Sequence, residues 1–125
     1  MIKLTMLAMR QPHLSSEEFD VHWRDRHAPL VRSHAAILGI RRYTQVSTLS
    51  DPAAQDRLRS SRQASPFPFD GYGELWWDNV EAMFAARETP EGRKALGALL
   101  EDETRFIDHG RCLLWFGQER VILPG

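Results

Sequence analysis

The order of patterned segments in this 125-residue sequence predicts an α+β fold, a four-stranded antiparallel sheet with helices packed on one face. Three observations carry that reading. Four short stretches rich in apolar, β-branched or aromatic residues alternate with helical patterns in the order βαββαβ, the second α unit being split in two. The length suits one domain with a real core and leaves no room for a separate cofactor-binding half, so residues 1–125 are read as a single domain. A composition of 42% hydrophobic and 26% charged residues is that of a packed globular chain.

Each element has a local cause. Met1 to Arg10 (MIKLTMLAMR) is apolar at both parities, so the first strand is covered on both faces. Gln11-Pro12-His13-Leu14 interrupts it, and Ser15 stands three residues before Glu18, the spacing of a capping box. A helix from about residue 16 to about 37 follows, with Phe19, Trp23, His27 and Leu30 on one face and Gly39 ending it. Pro29 removes the hydrogen bond to the carbonyl of Asp25 and predicts a kink or a two-piece helix. Ile40 to Thr48 alternates and forms the second strand. Leu49 to Asp70, with three prolines, several serines and Arg57, Arg59 and Arg62, is expected to be a long flexible loop, a flap over a pocket mouth with at most a helical turn around Ala54 to Leu58. Gly71 to Asp78 is the third strand. Asn79 caps a helix over Val80 to Arg87, and Thr89-Pro90-Glu91 opens another that runs to about Phe106. Asp108-His109-Gly110 stops it, and Arg111 to Ile122 is the fourth strand, with Gly117 at a bend.

This order is the ferredoxin-like unit, which leaves one sheet face without helices. Leu4, Met6 and Ala8 lie on one parity of the first strand, and Thr5, Leu7 and Met9 on the other. The fourth strand offers Cys112, Leu114 and Phe116 against Leu113 and Trp115. Both sets are mostly apolar, and a bare patch of that size is rarely left in water. A second copy laid sheet to sheet is expected to cover it, giving a homodimer that encloses a cavity.

Sixteen basic and seventeen acidic side chains leave a net charge of −1, which argues against nucleic acid or an anionic membrane as a partner. A single cysteine, Cys112, allows no intramolecular disulfide and no CxxC pair. No apolar run approaches the roughly 18 residues of a membrane helix. The first ten residues, with Lys3 inside the apolar stretch, do not read as a signal peptide. A soluble, cytoplasmic protein is expected.

The segment Phe19 to Val31 is densest in functional groups. His27 lies on the inward stripe with Phe19, Trp23 and Leu30, where an imidazole serves either as a general acid or base or as a hydrogen-bonded core residue. The catalytic reading places its ring on a cavity, and then His27→Ala should abolish turnover while leaving folding nearly intact. His22, roughly 140° further round the helix, is expected to be solvated. No metal site is expected. His27 and His34 share a face but stand about 10 Å apart along it, too far for one ion with bonds near 2 Å. Cys112, inside an apolar strand, reads as inert. Gly71-Tyr72-Gly73 lacks the third glycine and the following helix of a nucleotide loop, so no dinucleotide or Walker-type cofactor is expected. Tyr43 and Gln45 share one strand face, and Tyr72, Glu74 and Trp76 another. Trp23, Gln45, Glu74 and Trp76 are the candidates for contact with a substrate, and Tyr43 for a hydrogen-bond donor.

With these residues in place, a family pattern emerges. Glu18-Phe19, Trp23-Arg24, His27-Ala28-Pro29-Leu30-Val31, Gly39, Tyr43 and Gln45 resemble the EthD domain family. Glu74-Leu75-Trp76-Trp77, Thr89-Pro90-Glu91-Gly92, Asp102-Glu103 and Phe106-Ile107-Asp108 are similar to its second half. The resemblance spans nearly the whole chain except the stretch from Leu49 to Asp70. It implies a dimeric α+β barrel. It also implies a cofactor-independent acid/base enzyme of dehydratase, lyase or isomerase type, acting on a small, apolar, ring-containing metabolite such as a polyketide intermediate. The helix histidine, His27, would be its acid/base group and Tyr43 would stand near the pocket. The alternatives are an EthD-type oxidoreductase or oxygenase, or a non-catalytic binder of small molecules.

Overall fold

The computed structural model describes residues 1–125. Strands β1 (Ile2–Ala8), β2 (Arg42–Ser47), β3 (Gly71–Trp77) and β4 (Leu113–Gln118) form one sheet in the order β2-β3-β1-β4, antiparallel throughout. Helices α1 (Ser16–His22), α2 (Ala28–Leu38), α3 (Pro52–Ser60), α4 (Val80–Glu88) and α5 (Pro90–Phe106) complete the chain. The expected α+β, ferredoxin-like order is therefore present. No helix is long and apolar enough to cross a membrane.

The caps act as their sequences dictate. Ser15 and Glu18 close a reciprocal capping box on α1, Asn79 accepts from the Ala82 amide, and Thr89 accepts from the Gly92 amide. Gly39 ends α2 in the left-handed region at φ 71°, which only glycine adopts without strain. The amide of Ile40 then reaches back to the carbonyl of Ala35.

Four expectations need correction. The helix over residues 16–38 does not break at Pro29. It widens into a π turn at Trp23–His27, one turn earlier, and α2 starts with the proline in its first turn. In the wide turn the Ala28 amide donates to the carbonyl of Trp23, five residues back, and Pro29, which has no amide to give, takes the first turn of α2. The segment from Leu49 to Asp70 is not structureless, because Pro52–Ser60 is a nine-residue helix. Asp51 caps it and Pro52 occupies its first turn. It has no buried residue, so no apolar stripe announced it. Nor does this segment contribute to the walls of the apolar cavity described below. Finally, β4 ends at Gln118 and not at Ile122, because its partner β1 runs out at Ile2, opposite Gln118.

Two buried clusters join helices to sheet. Ala8, Phe19, Trp23, Phe106 and Ile107 form one, and Val31, Leu38, Ala95 and Leu99 the other, with Tyr43 and Leu75 packed against it. The opposite sheet face carries Thr5 between its cross-strand partners Glu74 and Trp115, and Leu7 between Tyr72 and Leu113. No helix covers that face. On the edge strand β4, Leu113, Leu114, Trp115 and Phe116 are 42–57% exposed, which is unusual for four consecutive apolar residues.

Candidate active site

The π turn delivers His27 to the interior, where it is 4% exposed. Its Nδ1 lies 2.8 Å from Oδ2 of Asp102 on α5, and its ring packs on Phe106 at 5.1 Å between centroids. With Nδ1–H donating to that carboxylate, the neutral ring keeps its lone pair on Nε2. Nε2 faces Oε2 of Glu103 at 3.8 Å. The same Asp102 takes a second hydrogen bond from His22 Nε2 at 3.0 Å and a third from Arg105 at 3.3 Å. His22 is thus not the solvated residue its position suggests. It bonds to Asp102 and stacks on Phe106 at 4.4 Å. Glu103 holds His109 through its other oxygen, at 2.9 Å. Two adjacent carboxylates on α5 therefore tie together three histidines, two from the α1 and π-turn stretch and one from near the C-terminal strand.

Burial opposes the Asp102 charge, but hydrogen bonds to His27 and His22 outweigh it and hold the carboxyl below its usual range. A group whose pKa is lower in the folded state contributes stability above the unfolded value and loses it as pH falls through the folded one. This contribution should disappear below about pH 4. Thermal melting followed from pH 7 to pH 2 should show Asp102→Asn with a shallower acid limb than the wild type. Identical acid limbs would mean that the cluster does not stabilise the fold.

A cavity of about 180 Å³ lies between the sheet and helices α2, α4 and α5. Leu4, Met6, Leu75, Trp77, Leu99 and Leu114 are among its twelve lining residues, of which only Arg87 and Glu103 are charged. His27 is not itself on the wall; Glu103 stands there, with the imidazole 3.8 Å from its carboxylate. Tyr43 points to the helix side of the sheet. Its hydroxyl accepts from Gln45 Nε2 at 2.8 Å, and that amide also donates to the carbonyl of Trp23 at 2.9 Å. Burial, reinforced by the negative charge of Glu103, pushes the Tyr43 phenol up to about 12. It is therefore a donor at neutral pH and not a base. Tyr43 and Gln45 are not on the wall of that cavity; they line a separate, more open groove of about 390 Å³ beside α2, together with Arg32, Arg41 and Arg42.

The fold gathers some of the candidates and separates others. His27, Tyr43 and Gln45 lie on the helix side of the sheet. The Trp23 ring is there too but only 1% exposed, wedged over Gly71 and Gly73 as core and not as cavity wall. Glu74 and Trp76 are on the opposite face. Glu74 binds Lys3 at 2.6 Å, and Trp76 lies beneath Lys3 and Arg42. The Cys112 thiol is pushed up by burial and sits against backbone carbonyls of Asp108 and Met9, as expected of an inert thiol. Asp102 and Glu103 were visible in the sequence only as part of a family pattern, and Arg87 not at all. One signal was available for Asp102. It falls on the buried stripe Ala95, Leu99, Asp102, Phe106, where an ionised residue needs partners.

Comparison with known proteins finds a family model, sequence relatives and solved structures that match this chain. The family model of the EthD domain matches residues 11–110. A protein of Passalora fulva named decarboxylase claH is 25% identical over 115 residues, covering 91% of this chain and 73% of that protein. An EthD family protein from Bacillus halodurans has a solved structure with TM-score 0.63 at 26% identity, covering 96% of this chain and 99% of the other. A dimeric protein of ferredoxin-like fold from Bacteroides fragilis superposes with TM-score 0.59 at 13% identity, over 94% and 95% of the two chains.

Proposed function

We propose that this chain, which belongs to the EthD domain family, is a cofactor-independent lyase that moves a proton on a small, apolar, ring-containing metabolite. The carrying observation is the buried His27–Asp102 pair set behind Glu103 on the wall of an otherwise apolar cavity. Asp102 fixes the imidazole so that Nε2 faces Glu103, and the two groups form a relay at the one polar end of the α5 wall. Low local polarity strengthens each of these interactions. Tyr43, on the wall of the neighbouring groove, carries a hydroxyl that stays protonated at neutral pH and would act as the hydrogen-bond donor. A cavity of about 180 Å³ is close to the roughly 150 Å³ that accepts benzene, so a single ring fits without rearrangement.

Among lyase, dehydratase and isomerase chemistry, we favour decarboxylation. The 25% identical relative named a decarboxylase supports it. In that reaction the relay would protonate the ring carbon that bears the carboxylate. The carbon–carbon bond then breaks, its electrons return to the ring, and carbon dioxide leaves. One proton is consumed from solvent in each turnover. The test is a panel of hydroxylated aromatic carboxylic acids incubated with the purified protein, with carbon dioxide release and oxygen consumption followed together. Release without oxygen uptake, lost in Glu103→Gln, is the expected result. Oxygen uptake in its place would overturn this reading in favour of an oxygenase. Tyr43→Phe should lower the rate about 100-fold, as loss of one oriented donor does in a dry site, and an unchanged rate would remove Tyr43 from the site.

We also propose that the active form is a homodimer built on the helix-free sheet face and the apolar edge of β4. Stable dimers usually bury at least about 1,200 Å² in total. Sedimentation at micromolar concentration should give the dimer mass, and Trp115→Glu should give the monomer. A monomeric wild-type protein would sink the idea.

A further inference from the structure

Arg87 is the one charged cavity residue that the relay does not use. It lies in the last turn of α4, half-buried, with its guanidinium 5.9 Å from the Phe84 ring one turn earlier. Six of the fourteen arginines end on carboxylates, Arg10 on Asp70 and Arg41 on Asp78 among them, and of the eight that do not, Arg87 alone lines this cavity. Arg87 has no ion-pair partner within 4.0 Å and no side-chain hydrogen bond, although its cavity is lined by ten apolar residues. Burial works against its charge, and the field of Glu103 only partly offsets that. A partly desolvated cation with five donors and no acceptor is an incomplete arrangement.

We infer that Arg87 is the anchor for a substrate carboxylate, so that the cavity takes a monoanionic, single-ring carboxylic acid. The planar fork of the guanidinium matches a carboxylate in bidentate geometry. Arg87 and Glu103 leave the wall with no net formal charge, so a carboxylate held on the guanidinium adds a single negative charge, whereas a dianionic phosphate ester would add two. The apolar walls accept the ring, and their volume of about 180 Å³ limits it to one. The anchor rests on this cavity being the substrate site, but not on the proton chemistry of His27 and Glu103.

The test uses two probes of the same size, salicylate and its neutral amide, salicylamide, titrated into the protein by calorimetry. Methyl NMR signals of Leu99 and Leu114 report whether binding is in the cavity. The wild type should bind salicylate at least tenfold more tightly than salicylamide and shift both methyl signals. Arg87→Gln should lose that preference while its affinity for salicylamide stays the same, and Arg87→Lys should recover part of it. Equal affinities in the wild type, a preference that survives in Arg87→Gln, or no binding of either probe would each overturn the anchor. Glu103→Gln separates the two proposals. If it loses turnover but keeps the preference for the acid, both stand. If the preference is present and no panel acid is turned over by the wild type, the anchor stands without the relay.

Discussion

His27→Asn is expected to lower turnover of the best panel acid by about 10²- to 10⁴-fold, the range for removing a general acid or base. Asparagine is the informative replacement because its amide nitrogen can occupy the place of Nδ1 and keep the donor to Asp102. What it lacks is Nε2, the nitrogen that faces Glu103. His27→Ala is a harsher change than the position in the sequence suggests. It takes one hydrogen bond from Asp102 and uncovers part of the Phe106 ring, so it should also cost about 1–3 kcal/mol of stability. Rates and melting temperatures measured on both variants separate the two effects. A His27→Asn protein with wild-type rate would take His27 out of the mechanism and leave it a hydrogen-bonded core residue.

Gly92→Ala should be among the most damaging single substitutions in the chain. Gly92 sits in the first turn of α5, where a Cβ would overlap the carbonyl oxygen of Ala86 on α4 and stand 2.9 Å from Oγ1 of the capping Thr89. Neither neighbour can yield, since one is helix backbone and the other is held by its cap. The cost should reach or exceed the upper end of the roughly 1–3 kcal/mol seen for overpacking. Gly97, five residues on in the same helix, has nothing within 4 Å of its missing Cβ and is exposed. Gly97→Ala should therefore stabilise the protein by about 0.5–1 kcal/mol through helix propensity alone. Chemical denaturation of the two variants checks both signs. If both shift the midpoint the same way, the close contact between α4 and α5 does not limit packing.

Much of the fold was legible because its causes are local. The Ser15–Glu18 box, Asn79 and Thr89-Pro90 each place a helix start, and Gly39 places a helix end. An apolar stripe located the buried face that carries His27. Helix α3 escaped because a helix that buries nothing has no stripe, and only its Asp51-Pro52 start was available. Pro29 was read correctly as a disturbance, but its effect appears a turn earlier as a π turn, since the helix has tertiary contacts on both sides to preserve. Two of the substrate-contact candidates, Glu74 and Trp76, were grouped with Tyr43 and Gln45 through residue type alone, and strand parity puts them on the other face of the sheet.

The sequence by itself determined the order βαββαβ, the inward stripe of Phe19, Trp23 and His27, and the apolar excess on β1 and β4. These follow from spacing and composition within about a dozen residues. Only the tertiary structure decided what His27 meets. Asp102 lies 75 residues away and Glu103 is its neighbour on α5, and no local pattern encodes which face of α5 meets the π turn. The same holds for Arg87, whose significance lies in having no partner once α4 is packed against α5 and the sheet. Charges and hydrogen bonds act over a few ångströms, so a site assembled from the π turn, α2, α4, α5 and strands β1, β3 and β4 exists only after those elements have packed.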